Sequence, residues 1–293
     1  MKSKLLLPFF IGLVVMLLAY GAYQALFAAP TEETMGDVQR IFYYHVPSAW
    51  TAMILFLVNF CASAVYFFTR SPKADAWALT AAEVGVVFCT VVLITGPIWA
   101  RPVWGIWWTW DLRLTTTLIM WLLYVSYLIL RRSSEPGSSS TLATVFALSA
   151  AVDIPIVWMA IRWYSVHTQH PQPVFGNGPN SGLDPQMKVA LFANWFAFMA
   201  FAALIFWIRY SVERTTQKVA TAFVQKASRR TAVVLGMSTL LFFQSPVGRT
   251  PDPRHIFLYS AYAVTWIIHI SYFVIIGRKI ARLKEEQAEL KLT

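Results

Sequence analysis

The sequence predicts an all-α polytopic membrane protein: a six-helix bundle with an outward-facing amphipathic tryptophan-rich loop or helix, followed by one short and one full C-terminal transmembrane helix. Three observations carry this. The chain is 57% hydrophobic and only 13% charged, with a mean hydropathy of +0.54, too apolar to keep itself in solution. Its apolar residues fall into long uncharged runs of membrane-crossing length. Its basic residues collect at alternate run ends, as the positive-inside rule requires.

Taken in order, the predicted spans are Leu5 to Ala29, Ala49 to Phe68, Trp77 to Trp99, Thr115 to Leu130, Thr141 to Ile161 and Val189 to Ile208. A weak Thr231 to Phe243 and a strong Ile256 to Ile276 follow. The first run is longer than the apolar core of a cleaved signal peptide, and the later charges need it retained. The seventh has thirteen residues, short of the roughly 17 that cross a bilayer untilted. Without it, however, the sixth and eighth could not both obey the charge rule. Lys2, Lys4, Arg70, Lys73, Arg131, Arg132, the run Arg209 to Arg230 and the tail Arg278 to Lys291 hold 17 of the 24 Lys and Arg. Both ends are then expected in the cytoplasm, and Thr31 to Tyr44, the tryptophan segment and the loop with His167 and His170 on the outer side. The net charge of +10 sits at span ends, so anionic headgroups explain it better than nucleic acid does. Cys61 and Cys89 lie inside apolar runs with no CxxC or Cys/His cluster and read as small core residues.

The third connection reads WGIWWTWDLRLT, with Trp104, Trp107, Trp108 and Trp110 ahead of Asp111. One or two tryptophans at a membrane boundary are ordinary, because the ring is apolar and its N–H needs a polar partner. Four in seven positions suit a large flat apolar ligand. Spacings of three, four and seven from Trp104 to Asp111 would gather indoles and a carboxylate on one helical side. The plainer alternative is an interfacial anchor helix that meets only headgroups.

If that ligand is haem, imidazoles are its usual axial ligands. His45 opens the second span in YYHVPSAW, and His167 and His170 follow the fifth in YSVHTQHPQP. Singly each reads as an interfacial histidine; their shared side and the aromatic loop between them favour ligation from opposite faces. Arg101 and Arg113 bracket the tryptophans as bidentate clamps for propionates, with Arg162 a third cation nearby, and headgroup contact is the plain alternative for each. Asp111 is expected to cap the fourth span, or else to support an imidazole or pair with Arg113. His255 and His269 read as packing residues of the last span. Glu83 is placed near the inner surface, reaching water, and Asp153 in mid-span beside a Pro155 kink, protonated or paired within the bundle.

These residues resemble a known family. WGIWWTWDLRLT is similar to the WWD signature of haem-handling proteins in cytochrome c maturation, and HVPSA at His45 strengthens the likeness. Residues 1–230 resemble CcmC of the System I pathway. Residues 253–293 resemble the small single-span CcmD subunit, with its basic cytoplasmic coil, joined through a linker at 231–252. The resemblance implies a protein of the bacterial inner membrane that holds haem b transiently, as cargo, at its periplasmic side. It would deliver that haem to the chaperone CcmE, beside a CcmA/CcmB ATP-driven transporter. Carried over, His45 is one axial ligand and His170 the other, its following proline fitting the family's His-Pro context better than His167. Trp104, Trp107, Trp108, Trp110 and Asp111 form the platform. The chain departs from the family at Asp153, where Asn is common, and in a longer outer loop between Phe175 and Leu183.

Two other classes compete. A b-type electron-transfer cytochrome wants ligands within the spans, where this chain offers only His269; a permease for another solute would use the tryptophan loop as a gate. No P-loop, Gly-x-Ser-x-Gly or carboxylate dyad points to an enzyme.

Overall fold

The computed structural model describes residues 2–132, 141–163, 170, 183–227 and 253–292. Among them there is no strand, and seven helical segments are long and apolar enough to cross a membrane, so the chain is an all-α multi-pass membrane protein. The expected short seventh span, Thr231 to Phe243, lies outside the described residues.

Helix α1 (Lys2–Tyr23) runs into a π turn, Gln24–Ala28, and lies along α7 (Pro185–Ala227). The approach is close. A Cβ on Gly21 would stand 2.9 Å from Asn194 Oδ1, and Asn194 Nδ2 donates to the carbonyls of Gly21 and Ala190 at 2.9 and 2.8 Å. A small residue thus lets a buried amide bridge two helices, as suits a medium that offers no water.

Within the segment expected as an outer connection, Thr31 to Tyr44, the part from Val38 onward packs into the bundle. A 3-10 turn at Asp37–Ile41 leads without a break into α2 (Phe42–Thr69), and Val38, Gln39, Arg40, Ile41 and Tyr43 are buried. Arg40, whose charge ended the apolar run in the sequence, is held through each of its three nitrogens: it donates from Nη1 to Ala25 O at 2.7 Å, from Nη2 to Thr31 Oγ1 at 3.2 Å and from Nε to Asp37 Oδ1 at 3.0 Å. Satisfied in this way, a guanidinium can be buried where a lone one could not.

Arg70 and Ser71 turn the chain into α3 (Pro72–Trp104), which pairs antiparallel with α2. Gly85 meets Phe56, which stacks on Tyr124 of α4 (Leu112–Arg132) at 3.8 Å and 9°. The fifth span is broken: α5 (Thr141–Ala150) and α6 (Asp153–Trp163) are separated by a turn at Ala151 and Val152, where Pro155 has no N–H for the ladder. Asp153 starts α6, and its Oδ2 is buried with no hydrogen-bond partner among the described residues.

Helix α8 (Pro253–Leu292) packs on α3 and α7. Tyr262 packs its ring against Tyr44, tilted 57° at a centroid distance of 4.0 Å, and donates to Arg40 O at 3.1 Å; His269 is buried among Phe88, Phe198 and Phe201, donating through Nδ1 to Thr265 O. This is the packing role expected of His269. The side chain of His255 lies outside the described residues. Glu83, expected to reach water, instead binds Arg209 through both oxygens; Arg209 also holds Glu213 at 3.0 Å, and Arg131 takes both oxygens of Asp75. Buried cations so close by explain why Glu83 does not need solvent. Cys61 is exposed on α2 rather than packed in the core; Cys89 is buried, and both are free thiols.

Candidate functional site

The outer ends of α2, α3 and α4, in the orientation the charges predict, enclose a cavity of about 350 Å³ with mainly apolar walls. On α2 the lining residues His45, Ala49 and Ala52 recur at helical spacing, as do Val92, Gly96, Trp99 and Val103 on α3, so each helix presents one continuous face. Arg113, Leu114, Thr117 and Met120 of α4 close a further side.

His45 is 7% exposed. Its Nδ1 lies 2.9 Å from Thr95 Oγ1, its ring meets Trp99 edge to face at 5.8 Å, and a Cβ on Gly96 would sit 3.3 Å from its Cε1. One turn of α3 therefore holds the imidazole on three sides. His170, half-buried on the connection between α6 and α7, lines the same cavity. His167 lies outside the described residues.

The tryptophan segment is not helical beyond Trp104, contrary to the expected helical grouping. Gly105 adopts φ +75° and returns its N–H to Arg101 O at 3.0 Å, a left-handed cap that glycine accommodates and that ends α3. The chain then runs irregularly to Asp111, which accepts from Leu114 N at 2.9 Å and so caps α4. Trp104 and Trp108 line the cavity. Trp107 and Trp110 are 52% and 75% exposed and stand outside it. Trp108 and Trp110 meet edge to face at 5.8 Å.

Of the two clamp candidates, Arg113 lines the cavity, whereas Arg101 donates to Gly105 O and stacks over Trp107 at 5.9 Å. Arg162 stacks over Trp158 at 5.6 Å. At the mouth, Thr34 and Met35 are held by a turn built on Glu32. Burial raises that carboxyl, but donation from Thr34 Oγ1 and from the Met35 and Thr34 amides outweighs it and holds Glu32 below the usual carboxylate range.

A cavity of this kind fits haem. Its walls are apolar and indole-rich, two imidazoles and one guanidinium reach it, and the Nε1–H groups of Trp99 and Trp108 in its wall are buried donors with no partner among the described residues. No cluster of three His, Cys, Asp or Glu able to hold a bare metal ion occurs among those residues. Trp99, Thr95 and Gly96 were not singled out in the sequence. The signal was there in the four- and three-residue spacing of the α3 face, partly hidden by the louder tryptophan run beyond it.

Comparison with known proteins agrees. Residues 1–225 match the CcmC family, described as heme exporter protein C. The chain is 33% identical to heme exporter protein C of Bradyrhizobium diazoefficiens over 224 residues, covering 76% of this chain and 84% of that one. It is 28% identical to a putative cytochrome c biosynthesis ccmC-like mitochondrial protein of Marchantia polymorpha over 219 residues, 75% of this chain and 90% of that one. With heme exporter protein C of Escherichia coli K12 the figures are 28% over 178 residues, 60% and 71%.

Proposed function

Since the chain belongs to the CcmC family, the heme exporter C proteins, and so has a role in haem handling for cytochrome c maturation, we propose that it holds haem b as transient cargo between His45 and His170. The observation that carries this is that two histidines far apart in sequence line one apolar cavity with Trp104, Trp108 and Arg113. The iron, when present, takes an imidazole on each face. Trp104 and Trp108 offer indole surface to the macrocycle, and Arg113 offers a cation to a propionate. Trp107, Trp110 and Arg101, exposed beside the cavity, would complete the platform and its rim. From there the haem passes to a CcmE-type chaperone, with CcmA/CcmB-type transporter subunits as further partners. The charge distribution supports an inner-membrane protein with cytoplasmic termini and a periplasmic cavity. On this reading α8 is the CcmD-like segment, fused to the same chain; its residues lie beyond the matched region.

The purified full-length protein, supplied with hemin, should show a Soret band with six-coordinate low-spin character. His45→Ala and His170→Ala should each lose that character and release haem faster, and His269→Ala should not. Retention of the wild-type spectrum by His45→Ala and His170→Ala would overturn the ligand assignment. Loss of haem in His269→Ala alone would favour an electron-transfer cytochrome, and no Soret band at any hemin supply would favour a permease for another solute.

A further inference from the structure

We propose that Thr95 is a positioning residue that fixes the tautomer of His45 and so presents Nε2 to the iron, a role that rests on the haem-binding reading above. Thr95 Oγ1 is 2.7 Å from Val91 O and 2.9 Å from His45 Nδ1. A carbonyl only accepts, so the single hydroxyl proton goes to Val91. The oxygen can then only accept from the imidazole, which places the His45 proton on Nδ1 and leaves the Nε2 lone pair for a ligand. Both side chains are buried, Thr95 completely, so water does not compete for either bond. Gly96 leaves the ring its place, and Trp99 limits its swing.

The identity of the acceptor matters as much as its position. A carboxylate on Nδ1–H would push the imidazole toward imidazolate and tighten its bond to iron. A neutral hydroxyl orients the ring with little such push. That is the weaker of the two settings, and it suits a ligand that must later let its cargo go.

The test uses the full-length protein in detergent, loaded with hemin, comparing Thr95→Val, which removes the hydroxyl at nearly constant shape, with Thr95→Ser, which keeps it. Haem loss to excess apomyoglobin should be about 10- to 100-fold faster in Thr95→Val. Its midpoint potential should move upward, because an imidazole without an acceptor is a poorer donor to ferric iron. Thr95→Ser should match the wild type in both. Should Thr95→Val not accumulate, Thr95→Ala carries the same comparison. Wild-type rate and potential in Thr95→Val, or equal defects in Thr95→Val and Thr95→Ser, would overturn the proposal. His45→Ala in the same series separates the two levels. If it keeps the wild-type spectrum, the ligand reading fails and Thr95 with it; if it loses that spectrum while Thr95→Val changes nothing, the Thr95 role alone fails.

Discussion

Replacing Gly85 with alanine should destabilise the bundle even though alanine is the better helix former. A Cβ at residue 85 would stand 2.6 Å from Phe56 Cε1 and 2.8 Å from Cδ1, against ordinary carbon contacts of about 3.5–4.0 Å, so the ring would have to yield by about 1 Å. It has little room to move. Phe56 is completely buried and its ring lies flat on Tyr124, whose hydroxyl donates to the Phe56 carbonyl at 3.3 Å. Alanine in a helix interior gains about 1 kcal/mol over glycine. Overpacking costs about 1–3 kcal/mol, and a buried ring already held by stacking places this site toward the upper end, for a net loss of about 1–2 kcal/mol. Thermal unfolding of the purified protein measures it, with Gly277→Ala as control, since nothing lies within 4 Å of the Cβ there. Phe56→Leu in the Gly85→Ala background should recover part of the loss, giving a double-mutant coupling of about 1 kcal/mol. Because α2 carries His45 and α3 carries Thr95, the same variant should also release hemin faster. A Gly85→Ala protein as stable as the wild type would refute the claim that helix approach here is at its limit.

Two other perturbations test the remaining elements. Arg209→Met would leave Glu83 and Glu213 without their shared cation, and removal of one partner of a buried pair costs about 3–5 kcal/mol; the melting temperature should fall sharply and recover when Glu83→Gln and Glu213→Gln are added. The Glu32 carboxyl, held below its usual range, stabilises the turn under Thr34 and Met35 fully above the ordinary value of about 4.5, and that contribution disappears as pH falls through the lower folded value. The difference in melting temperature between wild type and Glu32→Gln should therefore be constant around neutrality and close in acid; a gap that widened in acid would contradict the sign.

The spans were legible because uncharged runs report on the bilayer directly, and the first six expected spans appear in their places along the chain as α1 to α4, α5 with α6, and α7, with α8 a seventh. What composition could not show was charge satisfied by partners distant in sequence. Arg40 ended the apparent start of the second span, yet its guanidinium is bonded through each nitrogen, to Ala25, Thr31 and Asp37, and the helix begins well before Ala49. Glu83 looked solvated for the same reason, since its partner Arg209 lies four helices away in the chain. The tryptophan segment failed differently. Periodicity suggested a helix, but local backbone chemistry at Gly105 and the Asp111 cap determine where α3 stops and α4 starts, so Trp104 and Trp108 reach the cavity while Trp107 and Trp110 stay exposed.

This distribution bears on how a haem site can be both selective and reversible. His45, the first proposed ligand, is held by packed helices. His45 stands on a helix whose approach is fixed by Arg40 on one side and by Thr95, Gly96 and Trp99 on the other, and the C-terminal helix adds Tyr262 against Tyr44 and Arg40. His170 comes from the connection between α6 and α7 rather than from a span. Moving His45 would require shifting packed helices, so with His170 removed His45 should still ligate the iron alone. Hemin bound to His170→Ala should accordingly exchange faster than hemin bound to wild type yet retain a five-coordinate histidine spectrum, and a His170→Ala protein that lost all iron–histidine ligation would argue that the two ligands act as one unit.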